Sequence, residues 1–338
     1  MTEVIPGKYK GTRFRRGQVI SAADIPVLLD MGKEQLYVCE KQDMQSMQDM
    51  QSMQDMQDIQ SMSNVQGKSG MLHEEEGAIK LCVLCRGSYI KAAPVREGKI
   101  ELFAEKPGLL KIDSEKIAAL NMIDGLAVIT LYGNRGVKAD EKIAAVKIIP
   151  LFIEGEKLNA AAGICGADKP VNIIPYKHKK AGIIITGNEV FQKRIPETGS
   201  EILEKKLEAF DVECNEKVIL PDDPEKISTA ILGMIERGID LVICTGGMSV
   251  DPDDKTPLGI RKTGARIVSH GVPFQPGVML LLSYYEKNGL FVPIIGAPAC
   301  VFYEHITALD VLLPRLLADD PVGREDLARL GEGGIGNR

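Results

Sequence analysis

From Ala181 onward the chain repeats one pattern, a short and wholly apolar run followed by an amphipathic stretch, and few folds accommodate it. AGIIITG (181–187) reads as a buried strand, SEILEKKLEAF (200–210) as an amphipathic helix and VECNEKVIL (212–220) as a second strand. PEKISTAILGMIERG (224–238) reads as a helix, with Pro224 in its first turn and Gly238 at its stop. LVICTGG (241–247) and LFVPIIGAP (290–298) are further strands, and ACVFYEHITALDVLLPRLL (299–317) is a closing helix. His305 falls within that apolar helical pattern and reads as a structural histidine. Strand alternating with helix predicts a doubly wound, mostly parallel α/β sheet over residues 176–320, with a tail at 321–338. Such sheets bind ligands at the carboxyl ends of their strands. Three strands here end in small-residue turns: ITGNE (185–189), CTGGMS (244–249) and IIGAPAC (294–300).

The first 175 residues follow another rhythm and predict a smaller mixed or mostly β region. SAADIPVLLDMG (21–32) looks like a capped helix ended by Gly32, and QLYVCE (35–40) like a strand. KIELFAE, GLLKID, LAVITLYG and KIAAVKIIPLFI follow as short strands separated by Gly, Pro, Asn and Asp. KPVNIIPYKHKK (169–180), with two prolines and a basic cluster, reads as a linker. Within this region lies a Met/Gln-rich insertion at about 43–66, whose apolar residues recur every third position. Three residues turn an α-helix through roughly 300°, so the stripe circles the axis and holds no single face. The tract predicts a solvated insertion without a catalytic role.

The totals set limits. A formal charge of −6 excludes a general nucleic-acid binder, and no run reaches the roughly 20 apolar residues of a membrane helix. Seven scattered cysteines read as reduced thiols in a cytoplasm. Cys82 and Cys85 form a CxxC in GAIKLCVLC, but no second pair completes a metal site, and their spacing suits the apolar face of a helix.

The turns carry the chemistry. Gly246 and Gly247 let the backbone approach a ligand closely. Their N–H groups, with the hydroxyls of Thr245 and Ser249, would cradle a phosphate. Asp251, Asp253 and Asp254 follow at once, and carboxylates beside a phosphate loop repel the ligand unless a hard cation such as Mg²⁺ bridges them. An Asx turn with solvated acids explains the same residues equally well. Glu189 is either a second carboxylate at the sheet edge or a charge on the first turn of the next segment. The order of a Ser-His-Asp triad, a nucleophile elbow and a Walker loop are all missing from the sequence.

Taken in order, ITGNEV, TGGMSVDPDD, then Pro-Gly and GAPACV resemble the molybdopterin-binding domain of molybdenum-cofactor biosynthesis proteins. The likeness is to the MoeA-like group, which transfers molybdate to adenylylated molybdopterin, and to the related MoaB/Mog type of domain. The family's central motif falls on Thr245, Gly246, Gly247, Met248, Ser249 and Asp254, and its TGDE-type turn on Thr186, Gly187, Asn188 and Glu189. Its Pro-Gly falls on Pro276 and Gly277, and its GLPG turn on Gly296 to Ala299, with Pro298 in place. There are departures: Ala299 replaces a glycine, Cys300-Val301 stand where Asn-Pro is usual, Asp251 replaces a glycine, and Asn188 replaces Asp. The resemblance implies molybdopterin or its adenylylated form on these turns, Mg²⁺ on Asp254 and Asp253, and molybdate as the inserted species. Asp254 and Glu189 are then the catalytic carboxylates. It further implies a pterin and a nucleotide as partners, and a homodimer or higher oligomer. Two other readings stand beside it, a carrier or sensor that binds the pterin without turnover, and a competence-damage-type nucleotide pyrophosphatase.

Overall fold

The computed structural model describes residues 2–5, 8–14, 18–36, 70–177, 179–249 and 254–335. The Met/Gln-rich tract and most of QLYVCE lie outside the described residues. The chain divides into two compact units, 1–66 and 67–338. In the first, β1 (Thr2–Ile5) pairs antiparallel with β2 (Tyr9–Thr12), and α1 (Ile25–Asp30) ends before Gly32 at φ +70°. Ser21 and Asp24 form a capping box ahead of that helix, as the sequence predicts.

The second unit holds two layers of structure with separate cores. In the amino-terminal layer, β3 (Met71–His73) leads into α2 (Glu74–Cys85), which buries both sulfurs of the CxxC. β4 (Ile90–Ala92), β5 (Lys99–Ala104), β6 (Gly108–Ile112), α3 (Ser114–Asn121), β7 (Leu126–Thr130), β8 (Arg135–Val137), β9 (Lys142–Ile148), β10 (Phe152–Glu154) and α4 (Gly155–Cys165) complete it with β11 (Val171–Pro175). The region is mixed, with helices at Glu74–Cys85, Ser114–Asn121 and Gly155–Cys165 among its strands. A four-stranded sheet runs β4-β5-β9-β7. On its β7 flank Asn121 acts as a substitute strand: its amide donates to the Val128 carbonyl at 2.9 Å, and its carbonyl accepts from the Val128 N–H at 2.7 Å. The predicted linker is a correction. Val171–Pro175 pairs antiparallel with β6 as an ordered edge strand, and Pro175, lacking an N–H, closes it opposite Gly108.

The carboxy-terminal layer is a six-stranded sheet of order β13-β12-β14-β17-β16-β15. β12 (Lys180–Thr186), β13 (Glu213–Leu220), β14 (Leu241–Thr245) and β17 (Leu290–Ala297) are parallel. β15 (Arg266–His270) and β16 (Leu281–Lys287) add an antiparallel edge. Alternation sorts the core. Ile183 and Ile185 of β12 pack on the face covered by α6 (Gly199–Glu208) and α9 (Ala308–Leu317), whereas Ile184 packs on the face covered by α7 (Pro224–Glu236) and α8 (Thr256–Lys262). The doubly wound fold expected from the sequence is therefore present. The closing helix is corrected in detail. Ala299–Phe302 is a 3₁₀ turn, the chain opens at 303–306, and α9 restarts behind a Thr307–Asp310 capping box. His305 is exposed in that opening rather than buried in a helix. At the end of the chain α10 (Arg324–Arg329) packs beside β15, and Ile335 bridges to Gln275.

Candidate functional site at the carboxyl rim of the sheet

Strand register places the predicted turns along one edge. Thr186 stands opposite Leu220, Ile185 opposite Thr245, and Thr245 opposite Ala297. Gly296 pairs with Leu281, and Leu281 with His270, so the antiparallel hairpin returns the 271–280 connection to the same edge. The turns at 187–189, 221–223, 246–249, 276–280 and 298–303 therefore share one rim, where an α/β sheet of this topology presents its ligand crevice.

The tightest point is Gly246. Its φ is +89°, and a Cβ built there would stand 2.0 Å from the Thr186 carbonyl oxygen, which only glycine permits. Beneath it lies a knot of threonines. The Thr186 hydroxyl donates to the Thr245 carbonyl at 3.3 Å, leaving Thr256, 2.8 Å away, to donate to Thr186. The Thr245 side chain is fully buried, and among the described residues its hydroxyl has no hydrogen-bond partner. Such an orphan costs stability unless something supplies the missing bond. Gly247, at φ +50°, opens onto two oxygens: a Cβ there would meet Asp222 Oδ1 at 3.2 Å and Thr256 Oγ1 at 3.3 Å.

Asp222 is the residue that sequence reasoning missed. Its Oδ2 accepts the Asn188 N–H at 3.0 Å, and its own N–H donates to Asn188 Oδ1 at 3.3 Å, so the turns after β12 and β13 are cross-linked. Its neighbour Asp223 turns the other way and caps α7, accepting from the N–H groups of Glu225 and Lys226. The available signal was PDDP directly after an apolar strand, two acids where one cap suffices.

The remaining predicted residues divide. Gly187 is at φ +143°, and its open side faces the Glu189 carboxylate, 3.2 Å from where a Cβ would stand. Glu189 lies in the first turn of the short α5 (Asn188–Phe191) and is exposed, as is Ser249 beyond the glycines. Asp254 is half-buried just ahead of α8, and Asp251 and Asp253 lie outside the described residues. Met248 is buried, and its thioether fills the space that a side chain at Gly296 would need, with Cε 2.5 Å from that position. The structure thus gives Met248 and Gly296 a packing contact under the rim. Gly277, at φ +120°, follows Pro276 and presses on the start of α9, where a Cβ would come within 2.7 Å of Ala308. The Pro276 carbonyl accepts the Ala308 N–H at 3.0 Å. Pro298 opens the 3₁₀ turn. Lys206 of α6 anchors the segment beyond it. Its ammonium donates to the carbonyls of Glu304 and His305, both at 3.2 Å, and to the Asp310 carboxylate at 2.9 Å.

This arrangement offers two positive-φ glycines, with the Thr256 hydroxyl and the Asp222 carboxylate beside Gly247. Mg²⁺ prefers oxygen donors and commonly takes one or two carboxylates plus substrate phosphate. Asp222 and the Thr256 hydroxyl, both facing the open side of Gly247, are donors of that kind. Among the described residues no three His, Cys, Asp or Glu side chains gather as a metal cluster. A cation here would complete its shell from the ligand.

Comparison with known proteins assigns the same region. Residues 182–318 match the family described as a probable molybdopterin binding domain. Residues 1–40 match a domain of unknown function. A molybdopterin molybdenumtransferase of Synechococcus elongatus is 27% identical over 179 residues, covering 50% of this chain and 44% of that protein. A CinA-like protein of Mycobacterium tuberculosis is 34% identical over 77 residues, covering 23% of this chain and 18% of that protein. The aligned region thus spans less than half the length of either relative. The crystal structure of a molybdopterin biosynthesis enzyme MoaB from Thermus thermophilus covers 41% of this chain and 91% of its own, with 19% identity and a TM-score of 0.32.

Proposed function

We propose that this protein binds molybdopterin at the carboxyl rim of the six-stranded sheet and acts as a Mg²⁺-dependent, molybdotransferase-like enzyme on the adenylylated form, with molybdate as co-substrate. The observation that carries the reading is the turn at Gly246–Gly247, where Asp222 Oδ1 and Thr256 Oγ1 stand 3.2 and 3.3 Å from a Cβ built on Gly247. The glycine N–H groups would take phosphate oxygens, and no side chain would crowd them. Asp222 and Asp254, with Asp253 and Glu189 as further carboxylates, would hold the divalent ion. That ion supplies neutralisation of the charge that develops on the diphosphate. Asn188, locked to Asp222, would keep that carboxylate aimed at the Gly247 turn. Ser249, Pro276, Gly277, Gly296 and Pro298 would shape the walls through backbone groups. The exposed acid at 189 and the half-buried acids at 222 and 223 leave the ligand's negative charge dependent on the cation.

The test is release of AMP by purified protein from adenylylated molybdopterin, with Mg²⁺ and molybdate, run beside direct pterin binding. AMP release that requires both Mg²⁺ and molybdate supports the transferase. Stoichiometric pterin binding without AMP release leaves a carrier or sensor. The likeness to a CinA-like protein favours one further reading, hydrolysis of a dinucleotide pyrophosphate. Turnover of such a substrate without pterin affinity would replace the molybdopterin reading.

A further inference from the structure

The match to the molybdopterin-binding family ends at residue 318, yet the chain beyond it reaches the rim. α10 seats Leu327 in the core, and Ile335 bridges in parallel to Gln275, in the connection between β15 and β16. The Gln275 N–H donates to the Gly334 carbonyl at 2.7 Å. Position 334 has no room for a side chain. A Cβ there would stand 2.5 Å from the carbonyl oxygens of both Pro273 and Leu330. A glycine in the tail thus lets its backbone press on the backbone of the loop.

That loop carries Pro276 and Gly277 of the candidate site. Its base is tied by the Gly271 N–H to the Leu280 carbonyl and by the Val272 N–H to the Val278 carbonyl, both at 2.8 Å. Farther out, the Pro276 carbonyl accepts the Ala308 N–H at 3.0 Å, so α9 holds residue 276 while the tail holds residue 275. Packing beneath the loop is incomplete. A cavity of about 230 Å³ lies between Ser269, Gly271 and Pro273 on one side and Arg324, Leu327 and Ala328 of α10 on the other. Arg324 links the two sides by donating to the Ser269 hydroxyl at 2.9 Å. The position of the loop therefore depends on backbone hydrogen bonds more than on side-chain contact. Among the described residues the N–H groups of Gly277 and Val278 have no hydrogen-bond partner, and the Val278 side chain is exposed.

We propose that residues 331–335 are a positioning clasp for the rim, holding the loop so that the Gly277 and Val278 N–H groups meet a phosphate oxygen of the pterin. Gly334 and its neighbours touch no ligand; they act through the loop. Donors fixed before binding lose less freedom when the ligand arrives, so the clasp raises affinity without adding a contact of its own. The inference rests on the molybdopterin reading for the identity of the ligand. It places part of the control of that site in a segment outside the matched domain.

The experiment uses the full chain with molybdopterin and Mg²⁺, in the absence of molybdate. In wild-type protein, bound pterin should slow hydrogen exchange at the Gly277 and Val278 amides about tenfold or more. Gly334→Val, which has no room to keep the clasp, should speed exchange at the Gln275 amide and raise the pterin Kd about tenfold, with the urea midpoint near wild type. Ile335→Ala should change neither, because its side chain is 81% exposed and the bridge there is made by backbone. Pterin that binds and leaves the Gly277 and Val278 amides exchanging as in free protein overturns the proposal. So does Gly334→Val protein that binds pterin as tightly as wild type, or that keeps the Gln275 amide as slow. Wild-type protein that binds no pterin ends the molybdopterin reading instead, and exchange at Gln275 then decides the clasp by itself. Because the wild-type protection pattern is read first, a variant that fails to fold does not remove the test.

Discussion

Gly246 and Asp222 carry the site by opposite means, one by having no side chain and one by having a charged one. At Gly246 a methyl group would collide with the Thr186 carbonyl at 2.0 Å, in a backbone region that L residues avoid. Gly246→Ala should therefore cost about 3 kcal/mol or more, read as a lowered urea midpoint, and should abolish ligand binding. Asp222→Asn keeps an oxygen for the Asn188 N–H but removes the charge. It should leave the urea midpoint within about 1 kcal/mol of wild type, yet weaken Mg²⁺-dependent pterin binding at least tenfold by calorimetry. An unchanged affinity would mean that Asp222 only ties two turns together. Asp254→Ala should likewise keep the melting temperature while reducing AMP release. A large fall in melting temperature would make that residue structural.

At the scale of elements, the parallel strands were legible because strands buried on both faces must be apolar throughout. AGIIIT and LVICT therefore announce themselves. The antiparallel edge was not legible. RIVSH is the edge strand and meets solvent on its free side, and LLSYYEK starts buried but leaves the core at Tyr285–Lys287, so both mix polar residues into short runs. β11 was hidden by the prolines flanking VNII, which suit an edge strand as well as a linker. Asp222 was masked by Asp223, whose capping role appeared to account for both acids. The closing helix read as continuous because ACVF and ALDVLL share apolar spacing, although Thr307 and Asp310 in the same sequence spell a new helix start. The opening at 303–306 is held by Lys206. Lys206→Met should release the Glu304 and His305 carbonyls and raise hydrogen exchange across 303–307, at a cost of about 2 kcal/mol. Exchange unchanged from wild type would show that the 3₁₀ turn holds its shape without the lysine.

Across the whole molecule, charge bolts the two layers of the second unit together. The buried Arg315 pairs with Asp320 and, at 2.8 Å, with Asp326, while Lys111 of β6 reaches Asp320 at 3.2 Å. Lys177 and Lys179, beside the passage from β11 to β12, both grip Asp319. Burial raises the pKa values of Asp319 and Asp326. The lysines at Asp319, and the Gly323 N–H with Arg315 at Asp326, outweigh it, so both carboxyls lie below their ordinary value of 3.8. A depressed folded-state pKa adds stability that is present above the unfolded value and lost as the pH falls through the folded one. The urea midpoint should hold at pH 5 and decline below about pH 4 on this account. Asp319→Asn should flatten part of that decline, and an unchanged slope would place the acid sensitivity elsewhere.

The carboxamide of Asn121, seated on Val128, has a consequence for how copies of this chain can meet. An arriving strand would find the donor and acceptor it needs at the middle of β7 already engaged, and would have to evict a side chain held by two bonds before it gained any of its own. Molecules crowded together in a cell are thereby discouraged from zipping along β7.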